Sequence, residues 1–363
     1  MDKIRVGISH GDINSISYEV IIKTLSDTRI NDMCVPILFG SPKVVAYHRK
    51  ALNIENFSLN QVRSAEEAHP KRSNIINCID EEVKVELGKS TPEAGAASYA
   101  SLECAVKSMQ QGKIDVLVTG PINKHNIQES GFHFPGHTEY LAEKFETKEH
   151  LMLLVSGKLR VGVATGHIPV KDIATTLTKE KIVSKLKIFN ESLKFDFNVR
   201  KPRIAVLGLN PHCGDMGVIG TEESDIIAHA IEEARNHKIM ALGPYPADGF
   251  FGSDNFTKFD GVLAMYHDQG LAPFKALAFD TGVNFTAGLP IVRTSPAHGT
   301  AYELVGTGQA SEESFRNALY LAIDIFKNRQ QNKELMKNAM KDHGHARDFI
   351  GSDDDVPTDE NDL

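Results

Sequence analysis

Eight short runs of apolar, often β-branched residues recur along this chain, and stretches with helical spacing lie among them. That alternation limits the fold more than any single motif does. The runs are IRVGIS (4–9), CVPILFG (34–40), DVLVTG (115–120), HLMLLVSG (150–157), LRVGVATG (159–166), RIAVLGLN (203–210), GVLAMYH (261–267) and NFTAGLPIVRTS (284–295). Helices are predicted over 17–27, 93–111, 138–147, 179–193, 221–237 and 312–329, with apolar residues at 102, 105, 106 and 109 marking one helical face. Strands that are apolar throughout are buried on both sides, so the expected class is α/β with a largely parallel sheet. At 363 residues the chain has room for two α/β lobes or one large unit.

Charge narrows the function. The formal net charge is −8, but the last thirteen residues, GSDDDVPTDENDL (351–363), hold six acids and no base. Without them the balance is close to neutral, which leaves no basic footprint for nucleic acid or an anionic membrane. The acidic tail is expected to be solvated and disordered. No run approaches the roughly 18–20 apolar residues of a membrane span, and the N-terminus enters a strand without a signal-peptide core. The four cysteines, Cys34, Cys78, Cys104 and Cys213, are scattered, so reduced thiols and a cytoplasmic location are expected. Only Cys213 lies in a motif, where it reads as a bystander.

Several strand ends carry unusual residues: VTGPINK, ATGHIPV, GLNPHCGD and MYHDQG. In open parallel sheets ligands bind beyond the carboxyl ends of strands. The familiar cradles are missing. GKST (88–91) lacks the earlier glycine of a phosphate-binding loop, since position 83 is Val83, and no GxGxxG follows the first strand. VGTGQAS (305–311) reads as a glycine turn.

His167, His212 and His267 share one context, each following an apolar strand beside glycine, proline or a turn. Taken singly such histidines are satisfied loop residues. Three neutral imidazoles on separate elements are also a plausible open metal site, if the fold brings them together. Asp268 is then either an orienting neighbour of His267 or a turn carboxylate. PGHTEYLAEKF (135–145) opens a helix at His137 and Thr138, with Thr138 as the expected N-cap; it is either a simple cap or an anion site on free backbone N–H groups. Lys275, Asn284 and Arg293 stand among apolar neighbours, which suits a phosphate or carboxylate clamp better than surface solvation.

Taken in order, VTGPINKHNI, GHTEYLA, ATGHIPVKDI, GLNPHCGDMGVIGTEE, GPYPADGFF and MYHDQGLAPFKALAFDTGVNFTAGLPIVRTSPAHGTA resemble the 4-hydroxythreonine-4-phosphate dehydrogenases of vitamin B6 biosynthesis, over about residues 3–330. The resemblance implies a divalent metal (zinc, magnesium or cobalt) on His167, His212 and His267. It also implies substrate contacts from His137, Thr138, Lys275, Asn284 and Arg293. The family is similar to isocitrate and isopropylmalate dehydrogenases. That implies two α/β lobes around a cleft, roughly 1–135 with 285–350 and roughly 136–284, and a homodimer with its active site at the interface. SPAHGTAYELVGTGQA (295–310) resembles the loop by which those relatives hold the adenosine part of NAD or NADP, which points to Gly299, Thr300 and Gly306.

The implied reaction oxidises the secondary alcohol of 4-phosphohydroxy-L-threonine to 2-amino-3-oxo-4-phosphooxybutanoate, which loses carbon dioxide to give 3-amino-2-oxopropyl phosphate. Lys275, and Asp248 in PADGFF, are the catalytic candidates, Asp248 being otherwise a turn residue. One departure stands out. The family's first loop usually reads like GDPAGIGPE, whereas this chain has GDINSISYE (11–19). Losing the proline and two glycines changes the freedom of that backbone. Two other readings remain: a dehydrogenase of 4-phosphoerythronate or 4-phosphothreonate, and a metal-binding scaffold without turnover.

Overall fold

The computed structural model describes residues 3–80 and 82–342, the side chains of 339–342 excepted. The expected acidic tail, 351–363, lies outside the described residues. Twelve strands form one sheet: β1 (Ile4–Ser9), β2 (Cys34–Gly40), β3 (Asn60–Val62), β4 (Asn74–Asn77), β5 (Val116–Thr119), β6 (Leu151–Ser156), β7 (Leu159–Val163), β8 (Arg203–Leu207), β9 (Met240–Tyr245), β10 (Gly261–Ala264), β11 (Val283–Ala287) and β12 (Arg293–Pro296). Their order is β3-β4-β2-β1-β5-β12-β11-β6-β7-β10-β8-β9. The α/β class with a mostly parallel sheet is as the strand pattern predicts. Every residue of β2 is buried, as its continuous apolar run requires.

Direction along the sheet changes at its centre. From β3 to β12 all neighbours are parallel, and so are β7, β10, β8 and β9. Between these halves β12, β11, β6 and β7 pair antiparallel. Three consecutive reversals make the two parallel halves run in opposite senses, so their carboxyl ends lie on opposite edges. A single row of carboxyl-end loops therefore cannot form the site, contrary to the simple expectation for one parallel sheet.

The run 284–295 is a correction. It folds as two strands, because Gly288 takes φ +89° and turns the chain back on itself. The helix His267–Ala278, which begins at the expected strand end, was not anticipated. Nor were β3, β4, β9 and the helix Pro42–Ala51, whose N-cap Ser41 accepts from the backbone of Lys43 and Val44. The final helix, Glu313–Asp342, outruns the predicted 312–329.

Candidate active site

The central antiparallel strands put a row of polar side chains on one face. Register pairs Asn284 with Ser295 and with Leu154, and Thr286 with Met152. Directly paired residues point to the same side of a sheet. Asn284, Arg293, Ser295, Met152 and Leu154 accordingly line one cavity of about 360 Å³.

Both halves contribute walls to it. Gly120, Pro121, Ile122 and Lys124 follow β5, and Ala297, His298 and Gly299 follow β12. From the other half come His167 and His267, beyond β7 and β10. Those two strands are parallel neighbours, and Thr165 ties them, its N–H and hydroxyl both donating to the Met265 carbonyl (3.1 and 2.7 Å). The imidazoles are consequently brought to 5.5 Å between ring centroids. His267 opens its helix, and Leu271 and Lys275 lie four and eight residues on, so all three share a face and all line the cavity.

Arg293 dominates the electrostatics. It is 3 % exposed and has no carboxylate within ion-pairing distance among the described residues. Its Nε and Nη2 both donate to Thr119 Oγ1, at 3.1 and 2.7 Å. Burial pulls its pKa down to about 10, against a smaller upward pull from Glu139, so it remains a cation at neutral pH. A buried guanidinium with donors to spare suits an anionic ligand. Lys275 and Lys124 add two cations on the same cavity, against the single carboxylate of Glu139.

The helix His137–Lys144 presents its first turn to the cavity through Gly136, His137, Thr138 and Glu139. Gly136, not Thr138, is the N-cap; no side chain caps this end, and Thr138 Oγ1 instead sits 3.3 Å from Thr286 Oγ1. The first-turn N–H groups stay available to an anion. Three enclosed polar atoms of the cavity residues have no partner among the described residues, His137 Nε2, Asn284 Oδ1 and His298 Nε2. Burial first, then Arg293 and Lys124, hold His137 well below the ordinary histidine range. Burial likewise lowers His167, helped by Lys124, so its imidazole is neutral with a free lone pair. His267 Nδ1 is engaged at 2.7 Å by Asp268 Oδ1, which leaves Nε2 for a ligand.

The sequence-predicted residues divide between two places. His137, Thr138, His167, His267, Lys275, Asn284, Arg293 and Gly299 line the one cavity. His212 does not; it lines a separate pocket with Asn210, Asp248, Tyr266 and Gln269. No group of three or more metal-ligating side chains forms within this chain among the described residues. The loop of His212 is wound left-handed at five successive residues, φ 53°, 54°, 79°, 44° and 53° over 212–216. Glu223 anchors its base, accepting from the N–H groups of Leu209 (2.7 Å) and Asn210 (2.6 Å). Thr300 and Gly306 lie beyond the cavity wall, with Gly306 in a left-handed turn at φ +76°. Lys124, Glu139, Ser295 and His298 are cavity residues not singled out in sequence. All four lay inside quoted motifs, and for Lys124 and Glu139 an ionisable residue beside a strand-end glycine or a helix start was the available signal.

Residues 32–322 match the family described as pyridoxal phosphate biosynthetic protein PdxA. A 4-hydroxythreonine-4-phosphate dehydrogenase of Bacteroides thetaiotaomicron is 57% identical over 342 residues, covering 94% of this chain and 93% of that protein. A protein of Oceanobacillus iheyensis, provisionally named D-threonate 4-phosphate dehydrogenase, is 36% identical, covering 88% and 97% respectively. Among solved structures, the 4-hydroxythreonine-4-phosphate dehydrogenase of Klebsiella pneumoniae superposes with TM-score 0.78 at 31% identity, over 90% of this chain and 100% of that one.

Proposed function

The chain belongs to the pyridoxal phosphate biosynthetic protein PdxA family, and from that premise we propose that it oxidises 4-phosphohydroxy-L-threonine with NAD or NADP. The product, 2-amino-3-oxo-4-phosphooxybutanoate, then decarboxylates to 3-amino-2-oxopropyl phosphate. The observation that carries this reading is the buried, unpaired Arg293 in a cavity whose other charges are two lysines and one glutamate. A substrate bearing a phosphate and a carboxylate matches that excess of positive charge.

In this reading Arg293, Lys275 and the N–H groups at His137 and Thr138 take the two anionic ends and fix the secondary alcohol between them. Asn284, with its unpartnered Oδ1, accepts from the substrate's amino or hydroxyl group. His167 and His267, with their rings 5.5 Å apart, suit a divalent cation such as zinc, cobalt or magnesium. Held by these histidines, such an ion would supply Lewis-acid activation of the alcohol, and a bound dinucleotide would supply the hydride acceptor. Lys275, on the cavity wall, is the candidate to relay the hydroxyl proton.

His212 is the third ligand we assign, and it would come from a second subunit. Its support is the strained, exposed loop that presents it. Four non-glycine residues in left-handed conformation cost of order 1–2 kcal/mol each, and such strain persists where surroundings enforce it. Met216 and Val218, 101 % and 80 % exposed, sit at the tip of that loop. A homodimer that buries this tip would carry Asp248 along with His212 toward the other subunit's cavity. Within the same reading the lobes divide near residues 135 and 285, and the enzyme is cytoplasmic, in keeping with four free cysteines. No described helix is long and apolar enough to cross a membrane.

A second substrate, 4-phosphothreonate, has the support of the Oceanobacillus relative. The test is NAD(P)H formation from 4-phosphohydroxy-threonine and 4-phosphothreonate side by side, after chelation and after metal add-back. Metal-dependent turnover that prefers the amino substrate supports the proposal. Preference for the hydroxy acid moves the assignment to sugar-acid catabolism, and no turnover on either sinks it.

A further inference from the structure

The loop in which this chain departs from its family is a buried joint. Asp12, Ile13, Asn14, Ser15 and Ser17 are all fully buried. Asn14 binds the 86–91 segment four ways: Oδ1 accepts from Glu86 N (2.8 Å), Nδ2 donates to Lys89 O (2.9 Å) and Thr91 Oγ1 (3.2 Å), and its carbonyl accepts from Gly88 N (2.9 Å). Asp12 has no cationic partner among the described residues. Its Oδ1 accepts from Asn14 N (2.8 Å), and its Oδ2 accepts from Asn126 Nδ2 and Tyr302 Oη, both at 2.8 Å.

Tyr302 joins that joint to both cavity walls of its half. Its hydroxyl donates to Asp12 and accepts from Asn123 Nδ2 at 2.9 Å. The same Asn123 caps, through Oδ1, the short helix that begins with cavity residue Lys124. Just before Tyr302 the chain runs from cavity residues His298 and Gly299 through Ala301, which is left-handed at φ +42°. A non-glycine residue in that conformation needs its neighbours fixed. Among the described residues, two bonds fix them from the first loop: Ile16 N to Thr300 O (3.2 Å) and the Tyr302 hydroxyl.

We propose that Tyr302, latched to Asp12 and Asn123, is a positioning residue that holds the 297–299 wall in shape for the dinucleotide. This rests on the dehydrogenase reading, in which Arg293, Lys275, Asn284, His137 and Thr138 serve the substrate and the 297–299 wall is left for the second reactant. The altered first loop supplies Asn14 and a buried Asp12 as the fixed end of the latch.

The test is Tyr302→Phe, which keeps the ring and removes one hydroxyl, with Asp12→Asn as the conservative partner that retains an acceptor. Two readouts are taken: amide hydrogen exchange across the free protein, and NADPH and NADH binding by fluorescence. Steady-state constants follow. In Tyr302→Phe, exchange at Ile16, Leu304 and Val305, whose N–H groups donate to the carbonyls of Thr300, Ala301 and Tyr302, should accelerate while the rest of the chain is unchanged, and the dinucleotide Kd should rise about tenfold. Substrate KM and kcat should stay within about twofold, and Asp12→Asn should retain most of the affinity. Unchanged exchange at these three amides overturns the latch. Accelerated exchange with an unchanged Kd, or acceleration across the whole chain, overturns its positioning role. If the unaltered protein binds neither dinucleotide, the dehydrogenase reading fails instead, and the exchange data still decide the latch.

Discussion

Replacing Thr119 by valine tests whether Arg293 is the anion anchor. Thr119 is fully buried on β5, and its single hydroxyl accepts two Arg293 N–H bonds at 3.1 and 2.7 Å. Valine has the same shape, so the change removes those bonds without opening a cavity. A hydrogen bond to a charged group contributes about 1.5–3 kcal/mol, and a buried charge stripped of its partner lies at the upper end, so the free protein should lose about 2–3 kcal/mol. Arg293 would also be free to shift, and misplacement by about 1 Å can lower kcat/KM by up to about a hundredfold. Equilibrium urea unfolding measures the first effect and steady-state kinetics the second. Thr119→Ser keeps the hydroxyl and should lose only about 1 kcal/mol for the missing methyl, with kcat/KM nearly intact. If valine at this position unfolds at the same urea concentration as the unaltered protein, Thr119 does not hold the guanidinium. If serine is as damaging as valine, the hydroxyl is irrelevant and the reasoning fails.

Mixing inactive His167→Ala and His212→Ala homodimers after subunit exchange should restore about a quarter of normal activity, because half the dimers are mixed and each has one intact site; no recovery would put all three histidines in one subunit. Acid should unfold the protein through His10 and His48, both buried and both lowered from 6.5 to about 4, chiefly by burial. Folded forms of these histidines bind fewer protons than the unfolded chain, so their stability is present above pH 6.5 and lost as pH falls toward 4, about 2 kcal/mol each by pH 5; His48→Gln should halve that slope in urea titrations from pH 7 to 5, and an unchanged slope would remove His48 as a cause. Gly120→Ala would drive a methyl into Ser17 Oγ and the His10 carbonyl, so a loss of about 1–3 kcal/mol is expected, and a fully stable variant would contradict the packing.

What could be read in the sequence follows from which interactions are local. His167 and His267 come together because each ends an apolar strand, and parallel pairing of β7 with β10 makes that shared context a shared place. His212 has the same local signature, yet its left-handed loop takes it to another pocket, and nothing in PHCGDMG spells out six successive positive φ values. Asn284 and Arg293 looked like parts of one strand; the turn at Gly288 is what sets them on the same face, so they share a cavity by a geometry the sequence did not show. The burial of the first loop has no local signal in GDINSISYE: Asp12 and Asn14 are buried because partners from Glu86 to Tyr302 meet their hydrogen-bonding groups. Hydropathy reports the cost of burying a side chain alone. It is blind to donors and acceptors that reach the same point from distant parts of the chain, and an active-site wall is where such groups converge.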